Sequence, residues 1–178
     1  MVTIICGTNR PNSDTAKFAQ QYYEIFKAKG EEVRLLELEK IPHDWFFPEM
    51  YDAATQAESI AQIQETYFFP AEKLFFVAPE YNGSFPGVLK LLIDAISIRS
   101  YPKNFKPKKA ALCGVSSGRA GNLRGIDHLT GILHHVGTTV MPQCLPLSSI
   151  NNLYDADGHI NEATVNLMSE FVDTFLKF

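Results

Sequence analysis

Short apolar runs alternate with segments whose apolar residues recur every three or four positions. Val2–Cys6 is apolar, β-branched and stops at Gly7, which predicts a buried strand. Ala16, Ala19, Tyr23 and Phe26 recur at helical spacing, with Ser13 placed to cap the helix and Gly30 to end it. Val33–Leu38 predicts a second strand, and Ile60, Ile63 and Tyr67 a second helix. Leu74–Ala78 is the third strand. Ser84 as N-cap and Pro86 near the first turn then predict a helix over Val88–Ile98. That helix is apolar on most faces, which implies burial on more than one side, in a thick core or against a second subunit. Ala110–Val115 predicts a fourth strand, Leu123, Ile126, Leu129 and Leu133 a helix, and Thr138–Met141 a fifth strand. Val165, Met168, Val172 and Phe175 mark a last helix.

Strand and helix alternate throughout, which predicts an α/β fold, a parallel sheet covered by helices on both faces. No internal repeat, low-complexity stretch or linker interrupts the 178 residues, so one domain over 1–178 is expected. Hydrophobic residues make up 46% and charged residues 20%, enough apolar material for a core without metal or disulfide support. The net charge of −4 argues against a nucleic-acid binder, although Lys103 to Lys109 carries four lysines. The three cysteines, Cys6, Cys113 and Cys144, are far apart with no CxxC, so reduced thiols are expected. The start is too short for a signal peptide, and no apolar run approaches the ~18 residues of a membrane span. A cytoplasmic location is therefore expected.

Ligands of open α/β sheets bind beyond the carboxyl ends of the strands, where the strand order reverses. In the order 2-1-3-4-5, the first, third and fourth strands are neighbours, and the loops after them converge. The first loop, GTNRPNSDT, leads into a helix N-terminus whose unpaired N–H groups and dipole favour an anion. Thr8, Ser13 and Thr15 offer hydroxyls and Arg10 a charge-assisted bond, a combination suited to a terminal phosphate. It is neither a GxGxxG turn nor a P-loop. The second loop, PEYNGS, offers the flat Tyr81 ring and the Asn82 amide to a planar ligand. The third, SSGRAG, supplies backbone donors ahead of a helix.

These segments resemble the NADPH-dependent FMN reductase family, which takes in chromate-reductase-like and azoreductase-like quinone reductases. The resemblance runs from about Val2 to Pro142 and is most specific in PEYN and the PGxLKxxID helix after it. It implies a flavodoxin-like fold, a homodimer or homotetramer, bound FMN, and NADPH or NADH as donor. It also implies that Thr8, Arg10, Ser13 and Thr15 grip the FMN phosphate, that Pro79, Glu80, Tyr81 and Asn82 lie along the flavin, and that Ser116, Ser117, Gly118 and Arg119 close on the ring or ribityl side. The sequence departs from the family pattern at two places. Asn122 follows Gly121 where relatives often have a double glycine, and AISIRS stands where DWxSR is more usual.

The expected activity is hydride transfer from the nicotinamide to the flavin, and from there electrons to a quinone, flavin, azo or metal-oxyanion acceptor. The flavin carries the chemistry, so no acid/base residue is expected. The alternative is an FMN electron carrier that does not oxidise NAD(P)H. Such carriers tend to be strongly acidic, and −4 is modest. An α/β binding protein that has lost its cofactor is at odds with the intact first loop.

His128, His134 and His135 share one predicted helix, but no carboxylate or cysteine pattern joins them, so they read as surface residues rather than a metal site. Asp155-Ala156-Asp157-Gly158 reads as an Asp-Gly turn, because the later ligands of a calcium loop are missing. Nothing near Cys113 lowers its pKa, so it is not expected to be a nucleophile. The irregular aromatic stretch from Trp45 through Phe46 and Phe47 to Tyr51 is expected to line the acceptor site or a dimer seam.

Overall fold

The computed structural model describes residues 1–178 apart from His43 and Phe46. The strands are β1 (Val2–Cys6), β2 (Val33–Glu37), β3 (Lys73–Pro79), β4 (Lys109–Val115), β5 (Thr139–Val140) and β6 (Leu145–Leu147). The α-helices are α1 (Asp14–Ala28), α2 (Glu58–Ile63), α3 (Gly87–Ile96), α4 (Tyr101–Phe105), α5 (Leu123–His135) and α6 (Glu162–Lys177). The sheet runs β2-β1-β3-β4-β5, with β6 also on β4, and every pairing is parallel. This is the expected flavodoxin-like order.

Both faces of the sheet are covered, so alternate residues of each central strand enter different cores. Ile4, Cys6, Phe75, Val77, Ala111 and Cys113 pack toward α1 and α6. Ile5, Leu74, Phe76, Ala78, Ala110 and Leu112 pack toward α2, α3 and α5. Hence the strands read as unbroken apolar runs.

Local chemistry sets the ends of α1. Ser13 Oγ accepts from the Ala16 N–H at 3.2 Å. At the other end Gly30 turns left-handed (φ +80), and the N–H groups of Gly30 and Glu31 reach back to the carbonyls of Lys27 and Phe26. α6 starts in the same manner, with Asn161 Oδ1 accepting from the Thr164 N–H at 2.9 Å.

Four expectations need correction. Ser84 does not cap α3, which begins at Gly87 behind Pro86; Ser84 is instead bridged antiparallel to Tyr81. α3 stops at Ile96 rather than Ile98, and α4 follows, because two buried amides take up the carbonyl of its last residue and tie the turn behind it. Gln64 Nε2 donates to Ile96 O and Arg99 O at 3.1 and 2.7 Å, and Asn104 Nδ2 to Ile96 O at 2.8 Å. The fifth strand is split. β5 pairs with Lys109–Ala110 and β6 with Cys113–Val115, and Pro142, which has no N–H to give, stands in the break. The sequence reading missed β6. Finally, Trp45 is 1% exposed and belongs to the core over α2 and α3, with Nε1 donating to Ser59 Oγ at 2.9 Å. Of that aromatic stretch Phe47 and Tyr51 are exposed, and Phe46 lies outside the described residues. No helix among the described residues is long and apolar enough to cross a membrane.

Candidate functional site

Four loops meet at the carboxyl edge of the sheet around a crevice of about 270 Å³. Arg10, Asp14 and Thr15 line it from the first loop and the first turn of α1; Pro79, Glu80 and Tyr81 from the end of β3; Val115, Ser116 and Ser117 from the end of β4. Ile150 and Asn151 line it from the turn after β6. The sequence reading missed this fourth contribution because it missed β6. The polar run Ser148–Asn152 was the signal available, and it gains meaning only once a strand is placed before it.

The loops are tied to one another by side chains far apart in sequence. Thr8 Oγ1 and Tyr81 Oη are 2.7 Å apart, and Thr8 Oγ1 also accepts from the Arg10 N–H at 3.1 Å. Ser116 Oγ donates to Glu80 Oε2 at 2.9 Å and accepts from the Gly118 N–H at 3.0 Å. Ser149 N–H donates to Gly118 O at 2.9 Å, and Ile150 N–H to Ser116 O at 3.3 Å. Asn122, another residue the sequence reading did not select, donates from Nδ2 to Ala78 O and Pro79 O at 3.0 and 2.9 Å.

The predicted residues therefore fall into two groups. Arg10, Thr15, Pro79, Glu80, Tyr81, Ser116 and Ser117 line the crevice together. The others stand behind or beside it. Thr8 is 1% exposed, and its hydroxyl is engaged by Tyr81. Ser13 serves as the cap of α1. Asn82 (φ +52) and Gly83 (φ +77) form the two-residue tip of a small hairpin, since Tyr81 and Ser84 exchange backbone hydrogen bonds at 2.8 and 3.1 Å. Left-handed conformation at both tip residues is what favours Asn-Gly in such turns. Gly118 braces the turn after β6, and Arg119 is exposed outside the crevice lining.

The crevice suits a small anion with an attached polar chain. The first-turn N–H groups of Asp14 and Thr15 have no intrahelical acceptor. Arg10, Thr15 and Ser117 belong to the same lining. Two carboxylates also border it, and both have partners. Glu80 Oε2 accepts the hydrogen bond from Ser116 Oγ. Asp14 Oδ1 accepts from Tyr154 Oη at 2.8 Å and from Lys17 Nζ at 3.0 Å. Burial raises the Asp14 pKa, but the hydrogen bonds from Tyr154 and Lys17 outweigh that and hold it below the ordinary carboxylate value. Burial, and then the same contact with Asp14, push the Tyr154 phenol up.

A folded-state pKa below the unfolded one stabilises the fold above the unfolded pKa, and that stability is lost as pH falls through the folded value. Tyr154→Phe is therefore expected to move the Asp14 midpoint upward, toward its ordinary value, in a carboxyl-observed NMR titration. An unmoved midpoint would assign the depression to the neighbouring cations Lys17 and Arg10.

The remaining candidates lie elsewhere. His128 Nδ1 is 2.9 Å from Ser84 Oγ, and His134 and His135 are exposed. Among the described residues no group of three or more His, Cys, Asp or Glu is arranged to hold a metal. Asp155 Oδ1 accepts from the N–H groups of Asp157 and His159 in a turn closed by Gly158 (φ +81). Burial pushes the Cys6 and Cys113 thiols up to about 12, so neither supplies a thiolate near neutral pH.

The sequence and the fold were compared with known proteins. Residues 1–152 match the family model for NADPH-dependent FMN reductase. An NAD(P)H-dependent FMN reductase of Pseudomonas aeruginosa is 40% identical over 92 residues, 51% of this chain and 49% of that one. A quinone reductase of Pseudomonas putida is 26% identical over 98% of this chain and 91% of its own. Among solved structures, the flavoenzyme NAD(P)H:(acceptor) oxidoreductase of Paracoccus denitrificans superposes with a TM-score of 0.79 at 29% identity, covering 99% of this chain and 94% of that one. With the family model spanning most of its length, the chain belongs to the NADPH-dependent FMN reductase family.

Proposed function

We propose that residues 1–178 form one FMN-binding domain that oxidises NAD(P)H and delivers the electrons to a small-molecule acceptor such as a quinone. The observation that carries this reading is the convergence of Arg10, Thr15, Glu80, Tyr81, Ser116 and Ser117 on one crevice at the carboxyl edge of the parallel sheet. Bound in this crevice, FMN would supply the hydride-accepting and electron-donating chemistry.

The chain's own residues bind and orient. The N-terminus of α1, the Thr15 hydroxyl and Arg10 hold the phosphate, where the unpaired N–H groups and the helix dipole favour a dianion. Thr8 acts one step back, by fixing the Tyr81 phenol and the Arg10 backbone. Pro79, Glu80 and Tyr81 form the rigid wall along the flavin. In the turn after β4, the Ser116 N–H donates to Leu147 O and the Gly118 N–H to Ser116 Oγ, so the Ser117 N–H is the backbone donor this loop would turn toward the ring. Asn82 and Arg119 contribute at the rim. Self-association into a dimer or tetramer belongs to the same proposal and fits α3, whose Val88 and Leu91 pack against the core yet stay only half-buried.

The decisive experiment is an absorbance spectrum of the protein with added FMN, before and after anaerobic NADPH. The expected result is a bound-flavin spectrum that bleaches on addition of the nicotinamide. Binding without bleaching by NADPH or NADH would replace the reading with an electron carrier, and no binding would remove it.

Arg10→Ala is expected to weaken FMN binding by about 10- to 100-fold, the worth of one charge-assisted hydrogen bond to phosphate. Fluorescence titration measures this directly. Equal affinity in variant and parent would take Arg10 out of the phosphate site.

A further inference from the structure

Asn122 joins two of the crevice loops. It follows Gly121 and precedes α5, with left-handed backbone (φ +65). Asparagine is among the few residues other than glycine that adopt this conformation readily. A glycine would therefore meet the backbone requirement equally well, but it would bring no side chain.

The side chain is 1% exposed. Nδ2 donates to the carbonyls of Ala78 and Pro79 at 3.0 and 2.9 Å, the last two residues before Glu80. Oδ1 has no hydrogen-bond partner among the described residues, so the NH₂ end of the amide makes the side-chain hydrogen bonds. Its neighbours make room for it. A Cβ on Gly125 would come within 2.1 Å of Asn122 Oδ1 and 2.8 Å of Phe85 N. A glycine inside a helix costs about 1 kcal/mol relative to alanine. Here that residue leaves space for the Asn122 amide.

We propose that Asn122 is a positioning residue, locking the end of β3 to the start of α5 so that the Glu80–Tyr81 wall and the Ser116–Gly121 loop keep one spacing across the cofactor crevice. The inference rests on the FMN-binding reading of that crevice. A buried amide that donates twice to backbone holds position firmly, because breaking the contact strands polar groups away from water. The link complements the Ser116–Glu80 bond on the same pair of loops, so the two walls are fastened at two levels.

Asn122→Gly tests this, since glycine also adopts the left-handed backbone and lacks the side chain that makes the two bonds. Two measurements are made. In cofactor-free protein, amide exchange at Glu80 and Tyr81 is expected to speed up at least about tenfold, with Ile4 and Ile5 in β1 unchanged, as expected when a pair of neutral hydrogen bonds is lost. In the FMN titration, affinity is expected to fall about tenfold and the visible circular dichroism of the bound flavin to change shape.

Unchanged exchange at Glu80 and Tyr81 would overturn the lock. Faster exchange with unaltered affinity and flavin dichroism would reduce Asn122 to a stability role and overturn the positioning claim. Parent protein that binds no FMN would remove the functional reading and with it the cofactor half of the inference, while the exchange result still decides whether the loops are locked.

Discussion

Phe75→Ala is expected to lower global stability by about 3–5 kcal/mol, the usual cost of truncating a fully buried phenylalanine. Phe75 is in the middle of β3, itself the middle strand of the sheet, and is 0% exposed. Its ring meets Tyr22 and Phe26 of α1 at centroid distances of 4.5 and 5.4 Å, and Phe171 and Phe175 of α6 at 5.8 and 5.7 Å. Three of those four contacts are edge-on, the arrangement in which ring quadrupoles attract. Alanine would leave a void bounded by two helices that also contact each other and the sheet, so collapse around it is restricted. For a chain of this length the loss corresponds to roughly 6–20 °C in melting temperature. Urea unfolding of the cofactor-free protein measures it. A loss under about 1 kcal/mol would mean that α1 and α6 re-pack freely and that the aromatic cluster does not anchor this layer.

Gly114→Ala is expected to abolish the crevice rather than merely weaken the core. Gly114 lies in β4 directly beneath the third loop. An added Cβ would fall 2.1 Å from Gly121 O and 2.9 Å from Ile126 Cδ1. The carbonyl cannot simply move away, because Gly121 has positive φ (+57) and packs so closely on Pro146 that its own Cβ would come within 2.6 Å of that ring. The loop from Ser116 to Asn122 must therefore lift. That separates Ser116 from Glu80 and the Asn122 amide from the end of β3. FMN affinity is expected to fall on the order of a hundredfold or more, with a stability loss of about 1–3 kcal/mol from overpacking. Gly131→Ala is the control, since nothing lies within 4 Å of a Cβ there, and α5 should gain about 0.5–1 kcal/mol. An unaltered FMN titration in Gly114→Ala would show that the third loop is not part of the cofactor site.

Much of the architecture was legible because it follows from local pattern. A strand buried on both faces must be apolar throughout, so β1, β3 and β4 stand out, and the spacing of Ala19 and Phe26 marks the covered side of α1. Ser13 and Gly30 punctuate α1 through chemistry confined to a few neighbouring residues. The three crevice loops were found because topology places the ends of adjacent strands together, and most of their selected residues do line one crevice.

The errors have a common origin. Val88–Ile98 looks helical to its end, but Gln64 and Asn104 take up the carbonyls at Ile96, and no local signal announces them. Trp45 looked like an exposed aromatic and is core, because α2 and α3 arrive to cover it. Thr8, selected for its hydroxyl, is also tied to Tyr81, 73 positions away, a contact that no local signal announces.

By itself, then, the sequence determined the alternation of strands and helices, the caps of α1, the loops that carry polar chemistry and the family. The tertiary structure alone decided where α3 ends, that the last strand splits around Pro142 so that Ile150 and Asn151 enter the crevice, and that Asn122 spans from the third loop to β3. The physical reason is the range of the forces involved. Hydrophobic periodicity records the average environment of a segment, whereas a buried polar group is satisfied by one particular partner, and which partner is near depends on how the strands are ordered.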